Sequence, residues 1–175
     1  RWGVNPPEAD SYRAELAFSL GKWSADPACP YEFFIADVAD MAVQCAREQI
    51  CQRALADGMD YIAMMDDDMR GPADLWQRLL AHDVDIVAPL AFTRVAPHFP
   101  VVYATRGGWN ATGTYVEKTT HFIRNYPTDQ LFECDAVGFG AVLIKADVLK
   151  RFGPNWFFTF DSTKGRNQTG EDISF

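Results

Sequence analysis

Hydrophobic positions along the chain form short apolar runs that alternate with segments of helical spacing. Apolar, aromatic or β-branched runs predict strands, because such side chains suit a pleated, buried surface. Residues spaced three and four apart predict helices with one apolar face. The predicted strands are the end of a first strand at 2–4, then 31–36, the run that ends at Met65, 85–90, 134–144 and an aromatic edge at 156–160. The predicted helices are 8–20, 37–56, 72–81 and 145–152.

This alternation of strands and helices favours parallel βαβ units. We therefore expect an α/β fold with an open, mostly parallel twisted sheet flanked by helices. The stretch 91–133 is broken by Pro, Gly and Asn, and predicts an irregular insertion or a small antiparallel patch. With 175 residues the chain is expected to form a single domain over 1–175. It starts at Arg1 and stops at Phe175 directly after a motif, so we expect a fragment trimmed at both ends.

The acidic triplet Asp66-Asp67-Asp68 follows the apolar run that ends at Met65. Three adjacent carboxylates repel one another, and a hard divalent cation with oxygen ligands is the simplest compensation. Alternate residues of an extended segment point the same way, so Asp66 and Asp68 can face one ligand. A solvated acidic turn that caps the next helix is the alternative. The apolar strand directly before the triplet favours a binding site.

Three further features have both a functional and a structural interpretation. Glu171-Asp172 follows a polar loop and is suited to general-base chemistry, although a helix N-cap is the commoner role. Arg47 borders the apolar stripe of its helix, from which it either extends to solvent or reaches into a cleft. Gly138 and Gly140 lie in a strand and indicate close approach of a ligand or of another backbone.

Composition narrows the classes of function. The formal net charge is -8, which disfavours general binding to nucleic acids or anionic membranes. No segment approaches the roughly 20 apolar residues of a membrane helix, so no transmembrane segment is expected. The four cysteines form no CxxC pair. We interpret them as free thiols of a reducing compartment, which predicts a cytoplasmic protein.

Taken together, the motifs resemble those of nucleotide-sugar glycosyltransferases of the GT-A fold, of the family-2-like type, whose fold is Rossmann-like. The DxD motif of that family matches Asp66 to Asp68. The other matching segments, in order, are 46–50, 58–62, 85–89, 137–144 and 170–172. The resemblance covers most of the chain from about Pro6 onward.

The resemblance implies a metal-dependent hexosyltransferase-type enzyme that moves a sugar from a nucleotide-diphosphate donor, with UDP-sugars favoured, to an unidentified acceptor hydroxyl with inversion. The cation, Mn²⁺ or Mg²⁺, would be held by Asp66 and Asp68. Asp172 would act as the catalytic base, with Glu171 beside it. Residues implied in nucleotide-sugar binding are Asn5, Pro6, Asp37, Arg47, Asp66, Asp67 and Gly138. Family members often supply a further metal ligand beyond the Glu-Asp motif, and the sequence ends before such a residue.

Two alternatives remain open from the sequence. A nucleotidyltransferase on a related fold would need a Gly-rich, basic first loop, and residues 5–12 offer little of that. A catalytically inactive nucleotide-sugar-binding module would account for the absent further ligand.

Overall fold

A computed structural model describes residues 7–36, 38, 40–66, 69–93, 96–109, 112 and 115–157. Four helices and six strands are present in these ranges. In chain order they are α1 (Pro7–Ser24), α2 (Val43–Ala56), β1 (Tyr61–Met65), α3 (Leu75–Leu80), β2 (Ile86–Val87), β3 (Val102–Trp109), β4 (Tyr115–Phe122), β5 (Ala136–Val137), β6 (Ala141–Lys145) and α4 (Ala146–Phe152).

The predicted fold class is wrong. The described strands form two small antiparallel sheets of three strands each, in the orders β1-β6-β2 and β4-β3-β5, and there is no extended parallel Rossmann-like sheet among them. The prediction assumed that each helix returns the chain for another parallel strand. Instead, β6 follows the second sheet and enters the first from the edge where β1 and β2 end, so it runs opposite to both.

The first sheet lies between two hydrophobic clusters, and its central strand β6 contributes to both. Val142 and Ile144 pack with residues of α2 and α4 on one face, whereas Ala141 and Leu143 pack with α1 and α3 on the other. This alternation follows from the two-residue period of a strand. The continuous apolar run in β6 therefore reflects burial on both faces of the sheet, here in a strand with antiparallel neighbours.

Several predicted elements have different bounds in the structure. Residues 31–36 form no strand; Tyr31 and Phe33 instead pack their rings on Trp23, at centroid distances of 5.5 and 5.1 Å. Helix α2 begins at Val43 rather than at residue 37. The single strand predicted over 134–144 is divided by Gly138-Phe139-Gly140 into β5, which belongs to the second sheet, and β6, which belongs to the first.

The second sheet occupies the stretch for which an irregular insertion was one interpretation. Strands β3 and β4 are eight residues long and pair with a register shift between Arg106 and Gly108. The extra residue lies on β4, between Val116 and Thr119, and it faces Gly107, which has φ 106°. Glycine readily adopts this positive φ, so Gly107 allows the pairing to continue past the irregularity.

Candidate functional site

The candidate site lies at the edge of the first sheet where β1 ends and β6 begins. The N–H of Asp66 donates to the carbonyl of Gly140 at 2.9 Å, which extends the β1–β6 pairing by one residue. The N–H of Met69 donates to the carbonyl of Asp66 at 3.2 Å. Asp66 is thereby fixed in position by backbone contacts, and its side chain remains 42% exposed.

Arg47 enters this edge from α2 and is buried, with only 6% of its surface exposed. It shares the inner face of the helix with the buried Cys51, four residues further on. The side chain therefore takes the second of the two courses expected for it: it reaches into the protein rather than out to solvent. Because a guanidinium stays charged, such burial requires a compensating partner.

Asp66 provides that partner. Nη2 of Arg47 lies 3.0 Å from Oδ1 of Asp66 and 3.4 Å from the carbonyl oxygen of Phe139. The guanidinium carbon also lies 5.1 Å from the centroid of the Phe139 ring, within the range of a cation–π contact. Arg47 thus joins the end of β1 to the segment that leads into β6, and it holds one carboxylate of the triplet in a set orientation.

The glycines on either side of Phe139 are explained by packing. A Cβ on Gly138 would lie 2.6 Å from Cγ1 of Val101, and the N–H of Gly138 donates to the Val101 carbonyl at 3.1 Å. A Cβ on Gly140 would lie 2.8 Å from the sulfur of Met69. Gly138 therefore allows the second sheet to approach this edge, and Gly140 admits the residue that follows the triplet.

Of the predicted site residues, the structure brings Arg47 and Asp66 into direct contact and places Gly138 one residue before Phe139. The remaining predictions lie outside the described residues: Asn5, Pro6, Asp37, Asp67, Asp68, Glu171 and Asp172.

Two residues of the site were not found by sequence reasoning. Phe139 contributes both its ring and its carbonyl oxygen to Arg47. Glu48 accepts hydrogen bonds from the backbone of Asn155 and Trp156, more than one hundred residues later. The glycines flanking Phe139 were a usable signal for the first, but nothing near Glu48 in the sequence indicates such distant partners.

Cys51 lies one helical turn after Arg47 on the inner face of α2 and is not a candidate nucleophile. Burial, with a smaller contribution from Glu48, raises the pKa of its thiol from 9.0 to about 12. Since the thiolate is the reactive species, this thiol is unreactive near neutral pH. All four cysteines are free, and Cys45 and Cys134 are exposed, so Cys51 is the one that belongs to the core.

A second group of charges lies at the opposite edge of the sheet, where β6 ends. Lys145 contacts Asp83 at 2.9 Å, and Arg151 contacts Asp85 at 2.7 Å. The hydrogen bond with Asp83 raises the pKa of Lys145, and the same bond lowers the pKa of Asp83. These are solvated pairs of opposite charge, which contribute little to stability and form no enclosed site.

Within the part of the chain that is described, no three His, Cys, Asp or Glu side chains come together in a way that could hold a metal ion. Of the acidic triplet, this statement covers Asp66, because the structure describes that residue of the three. None of the described helices is long and apolar enough to cross a membrane.

Comparison of the chain with protein-family models, with curated proteins and with solved structures gave no match.

Proposed function

We propose that this chain is a metal-dependent glycosyltransferase that transfers a sugar from a nucleotide-diphosphate donor, preferably a UDP-sugar, to an acceptor hydroxyl with inversion. The observation that carries the proposal is the contact between Arg47 and Asp66. Both residues were selected from the sequence for nucleotide-sugar binding, and they meet at 3.0 Å at the end of a buried strand. A charge-assisted hydrogen bond of this kind fixes the Asp66 carboxylate, and a fixed, half-exposed carboxylate can serve as an oxygen ligand for a hard cation.

Within this proposal Asp66 and Asp68 hold Mn²⁺ or Mg²⁺. The chemistry of Asp66 fits such a cation, because a half-exposed carboxylate offers the oxygen ligand that hard cations prefer. When bound, the cation neutralises charge that develops on the leaving diphosphate. Arg47 acts through Asp66, because its guanidinium is buried and contacts that carboxylate. Its part is to hold that carboxylate in a set orientation.

The other proposed roles follow the resemblance. Asn5, Pro6, Asp37, Asp67 and Gly138 belong to nucleotide-sugar binding. Asp172 accepts the proton of the acceptor hydroxyl, with Glu171 beside it. A cytoplasmic location is part of the proposal and is supported by the four unpaired cysteines.

The first test is cation-dependent binding of UDP, measured by calorimetry with Mn²⁺ and again with excess EDTA. We expect binding with Mn²⁺ and its loss with EDTA. Asp66→Asn should weaken binding by about tenfold or more, since loss of one charged ligand costs at least about 1.4 kcal/mol. Asp57→Asn is the matched control. Asp57 follows α2 directly and pairs with Arg53 on the exposed side of the helix that carries Arg47. Binding that is independent of the cation, or equally affected by both variants, would contradict the proposal.

The second test is turnover. A panel of UDP-sugars is incubated with Mn²⁺, and the released products are identified. Release of UDP, abolished by Asp66→Asn, is expected of a glycosyltransferase. Pyrophosphate release would instead indicate nucleotidyl transfer, and binding without any turnover would indicate an inactive binding module.

A further inference from the structure

Helix α2 carries Glu48 directly after Arg47, and Glu48 anchors a segment distant in sequence. Its Oε1 accepts from the N–H of Asn155 at 2.7 Å, and its Oε2 accepts from the N–H groups of Trp156 at 2.9 Å and Phe157 at 3.4 Å. Gln52 donates to Oε1 at 3.2 Å from one turn further along the helix. One carboxylate therefore accepts hydrogen bonds from three consecutive backbone N–H groups. The residues that donate them belong to no helix or strand.

The anchored segment is packed as well as hydrogen-bonded. Trp156 and Phe157 are 7% and 6% exposed, and the indole N–H of Trp156 donates to the carbonyl of Leu149 at 3.0 Å. The ring of Phe157 meets the ring of Phe139 edge-on, with centroids 5.6 Å apart. Phe139 is the residue whose ring and carbonyl contact Arg47.

These contacts form a closed circuit. Arg47 contacts Phe139, Phe139 contacts Phe157, the Phe157 N–H bonds to Glu48, and Glu48 is joined to Arg47 by the peptide bond. A shift of residues 155–157 would displace Phe139 from Arg47, whereas the backbone hydrogen bond from Asp66 to Gly140 would still hold Asp66 in place. The chain beyond Phe157 carries Glu171 and Asp172, so the same anchor holds the residues that directly precede that part of the sequence.

We propose that Glu48 is a positioning residue, which fixes residues 155–157 relative to the Arg47–Asp66 pair and is required for transfer rather than for donor binding. This inference rests on the proposed function for its kinetic consequence. Its structural part, the anchoring of residues 155–157 by the Glu48 carboxylate, is tested separately.

The structural part is tested by hydrogen exchange of the amides of residues 155–157. Glu48→Ala removes all three acceptor contacts, and Glu48→Gln keeps one acceptor oxygen while presenting an NH₂ group to the remaining donors. Exchange is expected to become about tenfold faster or more in Glu48→Ala, and less so in Glu48→Gln. Gln52→Ala is the matched control, since it removes the side-chain partner of the same carboxylate and leaves the backbone contacts. Unchanged exchange in Glu48→Ala would overturn the anchor.

The kinetic part is tested by comparing kcat with the affinity for UDP and Mn²⁺. Glu48→Gln is expected to lower kcat about 10- to 100-fold, because small misplacements of reacting groups have effects of this size. The Kd for UDP should stay within about twofold of wild type, and Gln52→Ala should match wild type in both. An unchanged kcat in a variant whose amides at residues 155–157 exchange faster would overturn the positioning role. A parallel loss of kcat and of affinity for UDP would also overturn it, because a merely structural role predicts that result. Absence of turnover by the wild type overturns the proposed function, and hydrogen exchange alone then decides whether Glu48 holds the segment.

Discussion

Replacing Asp66 with Asn tests how far the buried Arg47 depends on its counter-charge. Asn has nearly the same size and retains one carbonyl oxygen, so the 3.0 Å hydrogen bond from Nη2 can persist. The negative charge is what is removed. Since the Arg47 side chain is only 7% exposed, little water is available to compensate it.

The magnitude follows from the two exposures. Removing one charged partner of a buried charged donor costs about 1–3 kcal/mol. Asp66 is 42% exposed, so part of the attraction is already screened by solvent. We therefore expect Asp66→Asn to lower the free energy of unfolding by about 1–2 kcal/mol. The exposed pair of Arg53 and Asp57 gives the comparison, and Asp57→Asn should lower the free energy of unfolding by a clearly smaller amount, because solvent screens that pair.

Urea denaturation is the appropriate assay, because a shift of the midpoint with an unchanged slope reports a change in stability alone. A double-mutant cycle with Arg47→Met isolates the pair, since Met removes the buried charge while retaining apolar volume. We expect a coupling energy within about 0.5–3 kcal/mol, with the double variant more stable than the two single losses imply. Equal losses in Asp66→Asn and Asp57→Asn, with no coupling to Arg47, would refute the reasoning.

Two further predictions concern the residues around the site. The pKa of Cys51 is raised to about 12 in the folded protein, above its value of 9.0 in the unfolded chain, so the unfolded state loses its proton first. Stability should be unaffected below about pH 9 and fall as pH rises towards 12; in chemical denaturation across this range a Cys51→Ala variant should lack that component. Gly138→Ala should lower stability by about 1–3 kcal/mol, because Cγ1 of Val101 is a stiff β-branched neighbour 2.6 Å from the new Cβ. Gly140→Ala should cost less than about 1 kcal/mol, because the end of the flexible Met69 side chain can move aside. A larger loss in Gly140→Ala than in Gly138→Ala would contradict the packing argument.

The helices and strands that build the first sheet and its two faces were partly predictable from local sequence. The run that ends at Met65 forms β1, and the stripe of α2 places Cys51 inside. Prediction from local pattern failed at residues 31–36, where side-chain packing takes the place of strand pairing. Tyr31 and Phe33 have the composition of a strand, yet their rings pack on Trp23 and the segment makes no ladder.

The candidate site was predictable in its residue types and only partly in its geometry. Arg47 and Asp66 were both identified from the sequence, but their pairing spans 19 residues and depends on how α2 packs against β1. Glu48 could not be identified at all, because its backbone partners lie 107 to 109 residues away. Helical periodicity identifies which face a residue occupies, but it carries no information about which distant segment meets that face.

The sequence by itself determined that the apolar run before the acidic triplet is a strand and that Cys51 lies on the inner face of α2, because side-chain periodicity is a local property of the chain. Only the tertiary structure decided the direction of β6, since an apolar run reads the same from either end. The direction was set by the second sheet, which delivers the chain to the edge where β1 and β2 end. The same path of the chain from β5 to β6 places Phe139 against Arg47 and thereby assembles the contacts on which the proposed site depends.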